Sequence, residues 1–351
     1  MKKRTLFIII LSFMFIVIGG IGTVVTQGRL NTERENNAIN KKIPTKQNKK
    51  LNINFSSSTM VTITKSDDNN IYMNKQGVDF KLDKNKQADC TFSEQENTSI
   101  LTINNPTTNN NSLYPFSIIN FNHYTDDTVY LRIPQHYDSV NINGENITLS
   151  MYDFSANTID FDISNGNISL NDIRANYVSQ TKKDTDFIIE ESKVLEELSV
   201  ASKQYSIHVL NTTAKLMKLS TDMGDIFTGN TKGELDIASE NGDVSVNHTK
   251  GKSVITTKHG DILFHDDSVD FDTTLTSTNG DINIETDKSS IEDNQIDFET
   301  ILGDISIFNK NLSSDKKYKT NKGKISLKAS TKNGEIDVDE LDSEDTHYGY
   351  D

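Results

Sequence analysis

Five aspartates occupy the same position in a short recurring phrase, directly after a glycine and before an apolar–x–apolar triplet. They are Asp225, Asp243, Asp261, Asp281 and Asp304. Regularly repeated carboxylates could bind calcium, which takes six to eight oxygen ligands. Calcium-binding β-rolls, however, repeat paired glycines beside the aspartate, and other copies of this phrase carry Asn167, Glu234 or Lys324 there. A lysine among ligands favours turn-capping, solvated carboxylates, so the five aspartates are weak metal candidates.

A second group with metal-binding side chains lies in the same part of the chain. Its histidines and aspartates are His248, His259, His265, Asp261, Asp266 and Asp267. Imidazole and carboxylate groups are zinc ligands, so a His–His–Asp site is one interpretation. On strands and turns, this spacing does not force the side chains onto one face. Surface loop histidines are therefore the favoured interpretation, and we predict no metal site.

Residues for catalysis are few. Polysaccharide lyases and hydrolases on solenoid folds combine carboxylates with Arg or Lys that stabilise charge. The only arginines after residue 50 are Arg132 and Arg174, which lowers the enzyme interpretation although lysine could substitute. No GxSxG, P-loop or HExxH motif is present. The single cysteine, Cys90, excludes an intramolecular disulfide and a cysteine-based zinc site. The sequence predicts a protein that is not an enzyme and needs no cofactor.

The phrase that carries the aspartates occurs nine times between residues 164 and 338. Its turn glycines are Gly166, Gly224, Gly233, Gly242, Gly260, Gly280, Gly303, Gly323 and Gly334. Asparagine–glycine pairs in several copies predict a positive φ at a tight turn. The triplet that follows places two aliphatic residues on one face and a middle residue on the other, as in a half-buried strand. The middle residue is mostly polar, but it is Phe227 or Leu263 in two copies.

One repeat unit of about 20 residues contains two short strands and cannot bury its apolar face alone. Stacking of successive units favours an all-β parallel solenoid, resembling a β-helix, over residues 136–340. A β-sandwich of hairpins is the alternative, because closely spaced strands with Asn-Gly turns also fit that class. Residues 51–135 have β-like alternation without the phrase and are predicted to be the entry part of the same domain, capping its first unit. An acidic tail is predicted over 341–351.

The charge divides the chain into a cationic front and an acidic body. Residues 1–50 hold 10 basic and 2 acidic side chains, and the remaining 301 residues hold 26 basic and 49 acidic ones. An acidic body argues against nucleic-acid binding. Residues 6–25 carry no charge and are long enough to span a bilayer. We therefore expect a cytoplasmic tip and one transmembrane helix over 1–26, in contact with membrane lipid. A cleaved secretory signal is the alternative, but the length of the apolar run and the lack of an A-x-A-like site favour an uncleaved anchor.

A basic cluster at the N-terminus, before this apolar run, predicts a cytoplasmic N-terminus and an extracellular C-terminal domain. Residues 27–50 are polar and predict a basic linker. Its lysines are Lys41, Lys42, Lys46, Lys49 and Lys50. They could contact anionic lipid headgroups or an anionic wall polymer, although a merely soluble linker is the simpler interpretation.

These repeats resemble a known family. The stretch VYLRIPQHYDSVNINGENITLS, then FDISNGNISLNDIRA and serial phrases such as TNGDINIET, are similar to the bacterial "putative adhesin" family of β-strand-repeat domains of unknown function. Some members are membrane-anchored accessory proteins of envelope-stress systems in Gram-positive bacteria. The resemblance covers residues 51–340. It implies a surface-exposed, non-enzymatic β-repeat domain and supplies no catalytic residues.

Two classes of function follow. In the first, the chain is an adhesin or a binding or structural protein of the cell envelope, and its partner is a wall polymer or a glycan. In the second, it is an accessory sensor or regulator of an envelope-stress response, and its partner is a membrane protein. Binding to isolated wall material distinguishes the first class from the second.

Overall fold

The computed structural model describes residues 39–75, 89–104, 128–312 and 316–341. The anchor predicted over 1–26 lies outside these residues, as does nearly all of the predicted acidic tail. Within these ranges the only helix is α1 (Lys288–Glu292). The part of the chain that the structure describes contains no helix with the length and apolarity to cross a bilayer. The all-β class predicted from the repeats is confirmed.

The first strands in chain order are β1 (Ile39–Pro44), β2 (Lys50–Phe55), β3 (Thr59–Ser66), β4 (Asn70–Lys75), β5 (Asp89–Gln95), β6 (Thr98–Asn104), β7 (Thr128–Pro134), β8 (Ser139–Glu145), β9 (Ile147–Ser155), β10 (Thr158–Ser164), β11 (Gly166–Lys183), β12 (Thr185–Glu190), β13 (Lys193–Ser202) and β14 (Ile207–Leu210). The later strands are β15 (Thr213–Thr221), β16 (Ile226–Ser239), β17 (Val244–Lys250), β18 (Ser253–Thr257), β19 (Ile262–His265), β20 (Thr273–Ser277), β21 (Ile282–Thr286), β22 (Gln295–Thr300), β23 (Ile305–Ile307), β24 (Lys310–Asn311), β25 (Lys317–Lys319), β26 (Ser326–Thr331) and β27 (Ile336–Glu340).

The strands form two faces of one winding coil. The first face, sheet 1, has the order β5-β6-β2-β8-β10-β11-β13-β15-β16-β18-β20-β26-β22-β25. The second face, sheet 2, has the order β1-β4-β7-β3-β9-β11-β12-β14-β16-β17-β19-β21-β27-β23-β24. The long strands β11 and β16 belong to both sheets because each bends from one to the other.

Each coil consists of one strand in sheet 1, a turn and one strand in sheet 2. The twelve coils, numbered in chain order, are β2–β3, β6–β7, β8–β9, β10–β11, β11–β12, β13–β14, β15–β16, β16–β17, β18–β19, β20–β21, β22–β23 and β26–β27. Neighbouring coils pair in parallel throughout, as in Phe227↔Ser245 of sheet 2. This winding agrees with the solenoid prediction, whereas a sandwich of hairpins requires antiparallel neighbours.

The core lies between the two sheets and runs along the whole coil. Alternate side chains point inward, so that Ile282 and Ile284 are buried while Asn283 between them is exposed. This is the face assignment predicted from the apolar–x–apolar triplet. Buried side chains of both sheets form one continuous hydrophobic cluster, because a coil with two short strands buries its apolar face only by stacking on its neighbours.

The coils are not stacked in chain order at either end. Coil 1 lies between coils 2 and 3, since β3 pairs with both β7 and β9. Coil 12 lies between coils 10 and 11, since β27 pairs with both β21 and β23. The outermost coils are therefore formed by the second and the second-to-last coil of the chain.

Antiparallel strands cover both outer coils. At the first end, β4 and β1 extend sheet 2, and β5 extends sheet 1. The Lys41 Nζ atom of β1 donates to the Cys90 Sγ atom of β5 at 3.2 Å. At the other end, β24 and β25 cover β23 and β22. Lysines and a proline on β1 also discourage pairing with another chain.

The basic linker predicted over 27–50 extends less far in the structure. Its last residues form β1 and the start of β2. Lys46 and Lys49 form surface ion pairs with Glu94 and Asp138. The segment predicted as an entry and capping part of the same domain over 51–135 contains coils 1 and 2 of the same winding. Sequence reasoning separated them because neither coil carries the glycine phrase.

Candidate binding surface

The repeated glycines form a column in which the backbones of neighbouring coils are in close contact. In spatial order the column is Gly224, Gly242, Gly260, Gly280, Gly334 and Gly303. A Cβ atom on Gly242 would lie 2.1 Å from the backbone oxygen of Gly224, and one on Gly260 would lie 2.2 Å from that of Gly242. No other residue fits without a shift of the backbone.

Close approach, and not a positive φ, explains these glycines. Among the described glycines, only Gly233 and Gly323 have a left-handed φ, at 136° and 72°. Our expectation of positive φ at the Asn-Gly turns is therefore wrong for the column. In the copy at 165–166 the asparagine takes the left-handed conformation, with φ 53° at Asn165. The Cβ position of Gly166 meets the Ile147 backbone oxygen at 2.1 Å.

The aspartates after the glycines form a second column along the turns that lead into sheet 2. The Oδ1 atom of Asp225 accepts from the backbone N–H of Asp243 at 2.9 Å. Asp243 accepts in the same way from Asp261, and Asp261 from Asp281, both at 2.8 Å. Each carboxylate thus caps the turn of the next coil, which offsets the repulsion between stacked charges.

The last members of this aspartate column depart from the pattern. Asp281 accepts from the backbone N–H of Glu335 at 2.8 Å, because coil 12 follows coil 10 in space. Asp304, in the outermost coil, instead accepts from the Nζ atom of Lys316 at 3.1 Å. Over the described residues, no three His, Cys, Asp or Glu side chains are arranged to hold a metal ion. The column is a hydrogen-bonding feature of the turns.

Buried hydroxyls three residues before each glycine are a structural feature that the sequence analysis missed. They belong to Thr221, Ser239, Thr257, Ser277, Thr300 and Thr331. Thr221 Oγ1 accepts from the Gly224 N–H at 2.9 Å. Thr257 Oγ1 donates to the Gly260 carbonyl at 2.8 Å. Five of these hydroxyls satisfy backbone groups that the ladder leaves unpaired at the turn, whereas the Ser239 hydroxyl has no hydrogen-bond partner among the described residues. The regular spacing S/T-x-x-G would have revealed them.

The structure brings two of the three predicted histidines together. The rings of His248 and His265 meet edge to face, with centroids 5.0 Å apart. His265 Nδ1 lies 2.6 Å from Glu285 Oε2, and His248 Nδ1 lies 3.7 Å from Asp267 Oδ2. His259 lies apart, in the turn, where its Nδ1 atom is 3.0 Å from the Nδ2 atom of Asn279.

Asp266 follows His265 directly and is shielded from solvent. Burial, together with the charges of Asp267 and Asp270, raises the pKa of its carboxyl to about 7. The backbone N–H of Thr249, which donates to Asp266 at 3.2 Å, acts in the opposite direction. Asp266 is thus the described carboxylate whose charge depends most clearly on a pH near neutrality.

The outer surface of sheet 2 is apolar in its middle coils. The half-buried apolar side chains that point outward there are Ile188, Leu210, Phe227 and Leu263, and we call them the apolar patch. Gly229 lies under two of them, because its Cβ position is 3.0 Å from Leu210 Cδ2 and 3.4 Å from Phe227 Cε1. Two middle residues of the phrase therefore contribute to a surface and not to the core.

The same surface is acidic in its last coils. Glu285, Asp337 and Asp339 lie close together on β21 and β27. Partial burial raises the pKa of the Asp339 carboxyl, and the charges of Asp337 and Glu285 add to the effect. A planar binding partner that covers the whole of sheet 2 would therefore contact a dense negative charge at this end.

The first coils of sheet 2 carry aromatic and cationic side chains. The Arg132 guanidinium lies 4.5 Å from the centroid of the Tyr72 ring, and Lys42 Nζ lies 5.4 Å from it. The Tyr72 hydroxyl donates to Asp68 Oδ2 at 2.7 Å, and this bond is the main reason why the pKa of that carboxyl falls to about 2. Tyr130 precedes Arg132 by two residues and is 39% exposed. The alternation in VYLRIP already places both on the polar face of a strand.

A shallow cleft lies between the turns of coils 1 and 3. It has a volume of about 430 Å³ and is lined by Asn54–Ser58 and Asn143–Asn146. Its one carboxylate, Glu145, accepts from the Asn165 amide at 3.2 Å. The cleft therefore lacks the pair of carboxylates that glycoside hydrolysis uses.

Parallel coils, a continuous core and ordered outer columns define the chain as an all-β protein built from stacked coil repeats. More particularly, it belongs to the Toastrack DUF4097 family, whose profile matches residues 48–339. The family assignment made from the repeated phrase is thereby confirmed. No curated protein sequence matches the chain.

Several solved structures are similar to this chain. One is a "putative cell adhesion protein" from Clostridium sporogenes, with 11% identity, 87% of this chain and 99% of that chain covered, and a TM-score of 0.21. Another is a "putative adhesin" from Bacteroides fragilis, with 11% identity, coverage of 86% and 96%, and a TM-score of 0.36. A third is a "putative lipid binding protein" from Parabacteroides distasonis, with 10% identity, coverage of 87% and 97%, and a TM-score of 0.32.

Proposed function

We propose that the chain is a non-enzymatic binding protein of the cell envelope. In this proposal residues 6–25 span the membrane, the N-terminus is cytoplasmic and the coil domain lies outside the cell. The outer columns of the coil contact a wall polymer or a glycan. The observation that carries the proposal is the regular outer surface of sheet 2, on which side chains recur in register from coil to coil.

A surface of this kind suits a repeating ligand. Strands in a sheet are about 4.8 Å apart, so each column offers a side chain at that interval. The columns are fixed by the backbone ladder and by the continuous core, so little conformational entropy is lost when a polymer binds. Individually weak contacts along the coil can then combine into useful avidity.

Co-sedimentation of the full-length chain, purified in a nonionic detergent, with isolated wall material tests this function. We expect the chain to sediment with walls and to be released by soluble wall fragments. A full-length chain that stays in the supernatant at every wall concentration would contradict the proposal. Its orientation is tested by adding protease to intact, wall-stripped cells. The domain should be degraded, and protection until lysis would refute an extracellular domain.

The second candidate is an accessory regulator that acts through a membrane protein. The observation that favours it is the apolar patch, because exposed apolar surface commonly marks protein contacts. A photo-crosslinking residue in place of Phe227 should then capture one membrane protein in living cells. The same residue in place of Asn283, three coils away on the same column, serves as the matched control. Equal capture at both positions would exclude a specific contact at the patch.

A further inference from the structure

Arg132 is an exposed cation without an acidic partner among the residues that the structure describes. The other arginine of the coil domain, Arg174, pairs with Asp172 at 2.7 Å. By contrast, no carboxylate of the described residues lies within ion-pair distance of Arg132, and its guanidinium group lies over the Tyr72 ring. The acid beside this ring is Asp68, which already accepts hydrogen bonds from the Tyr72 hydroxyl and from the backbone and side-chain N–H groups of Asn70. Its carboxylate also lies 3.8 Å from Lys42 Nζ. An unpaired guanidinium on an acidic protein is available to an external anion.

The side chains around Arg132 are those that contact sugar rings. Tyr72 lies on the neighbouring strand β4, directly opposite Arg132. Tyr130 lies on the same face of β7, and Tyr152 lies on β9, two strands away and 47% exposed. Thr64, opposite Arg132 on β3, adds a hydroxyl. Aromatic faces with hydroxyls between them can stack on a sugar ring and hydrogen-bond to its edge.

We infer that Arg132, with Lys42 and the tyrosines Tyr72, Tyr130 and Tyr152, forms a binding site for a glycan that carries carboxylate or phosphate groups. Arg132 holds the anionic substituent and Lys42 adds charge beside it, while the exposed tyrosine rings stack on adjacent sugar units. This inference rests on the proposed envelope-binding function and specifies the site and the chemical class of its ligand.

An anionic polymer fits this surface better than an anionic lipid surface does. A lipid surface laid against sheet 2 would meet Glu190, Glu285 and Asp339 in the later coils of the same sheet. Their repulsion would oppose the attraction of Arg132 and Lys42. A polymer that crosses only the first coils avoids these acids. Charge complementarity is thus confined to one end of the sheet.

The test is calorimetric titration of the full-length chain in nonionic detergent at low salt. The probes are oligogalacturonate, which carries carboxylates, poly(glycerol phosphate), which carries phosphates, and neutral maltoheptaose. We expect at least one anionic probe to bind and maltoheptaose not to bind. Arg132→Gln should weaken binding about tenfold, the effect of losing one charged hydrogen bond. Arg174→Gln, the matched control on an ion-paired arginine, should change it less than about twofold.

Several results would overturn the inference. These are equal weakening by Arg132→Gln and Arg174→Gln, equal binding of maltoheptaose, or failure of both anionic probes to bind. Binding to phosphatidylglycerol vesicles that depends on Arg132, without glycan binding, would assign the site to lipid instead. If walls bind the Arg132→Gln chain undiminished, this site is refuted and the envelope function stands. If walls do not bind but a probe binds through Arg132, the site stands and the envelope function is refuted. An unchanged melting temperature confirms that the variant is folded.

Discussion

Replacing Gly260 by alanine tests whether the glycine column exists for close approach. The new Cβ atom would lie 2.2 Å from the Gly242 backbone oxygen, more than about 1 Å inside normal contact. The turn must then move outward. That movement strains two bonds between the coils, from Asp261 N–H to Asp243 Oδ1 at 2.8 Å and from Val244 N–H to the Asp261 carbonyl at 2.9 Å.

The expected loss follows from these contacts. Two weakened hydrogen bonds, together with the residual strain, cost about 2–4 kcal/mol. For a domain of this size that corresponds to a fall in melting temperature of about 4–8 °C. Circular dichroism of the full-length chain during heating measures the change. Gly229→Ala is the matched control, because its methyl group would meet only the movable Leu210 and Phe227 side chains. We expect a change of less than about 2 °C there, helped by the lower entropy of the unfolded chain.

Gly260→Asn separates close approach from the turn explanation. Asparagine tolerates a left-handed φ better than other non-glycine residues. If a positive φ were the reason for glycine, asparagine would be accepted with little loss. Close approach predicts that asparagine destabilises at least as much as alanine, since both carry a Cβ atom. A near-native melting temperature for Gly260→Asn, or equal losses at Gly260 and Gly229, would refute the reasoning.

Four further predictions test other parts of the structure. Ile282→Asp should lower the stability by several kcal/mol, because it buries an unpaired carboxylate. Asn283→Asp, at an exposed position, should leave the melting temperature nearly unchanged. Equal shifts in melting temperature for the two variants would contradict the face assignment. Thr221→Val should cost about 1–3 kcal/mol because it removes the acceptor of a buried N–H. Thr228→Val should cost nothing, because its buried hydroxyl has no hydrogen-bond partner among the described residues. Burial holds the Asp266 pKa near 7, above its usual 3.8, so the folded chain binds this proton more tightly than the unfolded chain does. The free energy of unfolding of the wild type should therefore fall between about pH 4 and about pH 7 relative to that of Asp266→Asn, and should follow it at higher pH. Parallel plots of the free energy of unfolding against pH over the whole range would contradict the buried carboxyl. Calcium should shift the melting temperature no more than sodium at equal ionic strength, since the aspartate column is occupied by backbone N–H groups; a calcium-specific rise of many degrees would restore a metal site.

The repeated phrase was sufficient to predict the β class, the inward and outward faces and the family. Each depends on local alternation, which a short stretch such as 281–286 already contains. The role of the glycines could not be predicted in the same way. The oxygen that excludes a side chain from Gly242 belongs to Gly224, and contact between them follows only from the stacking. Local sequence suggests a conformational reason for glycine, whereas the actual reason lies in the adjacent coil.

The candidate site was beyond sequence reasoning for a related reason. In the sequence, Arg132 is distinguished only as one of two arginines after residue 50. Its partner Tyr72 lies 60 positions earlier in the chain, and the antiparallel register of β4 and β7 places them side by side. Nothing in either segment indicates that pairing. The hydroxyls before the glycines are different, because their constant spacing was visible and was overlooked.

The order of the coils at the ends shows what the repeat leaves undetermined. Coils 10, 11 and 12 carry closely similar phrases, so each has the same kind of edge and any of them could stack on another. In the structure, the last coil of the chain has ladder partners on both sides, through β26 with β20 and β22 and through β27 with β21 and β23. Chain ends are normally where a fold frays. Here the described chain ends at a coil held on both edges, and the exposed outer coils are formed by internal segments covered with antiparallel strands. The arrangement therefore protects the two places at which a stack of parallel strands would otherwise open or pair with another molecule.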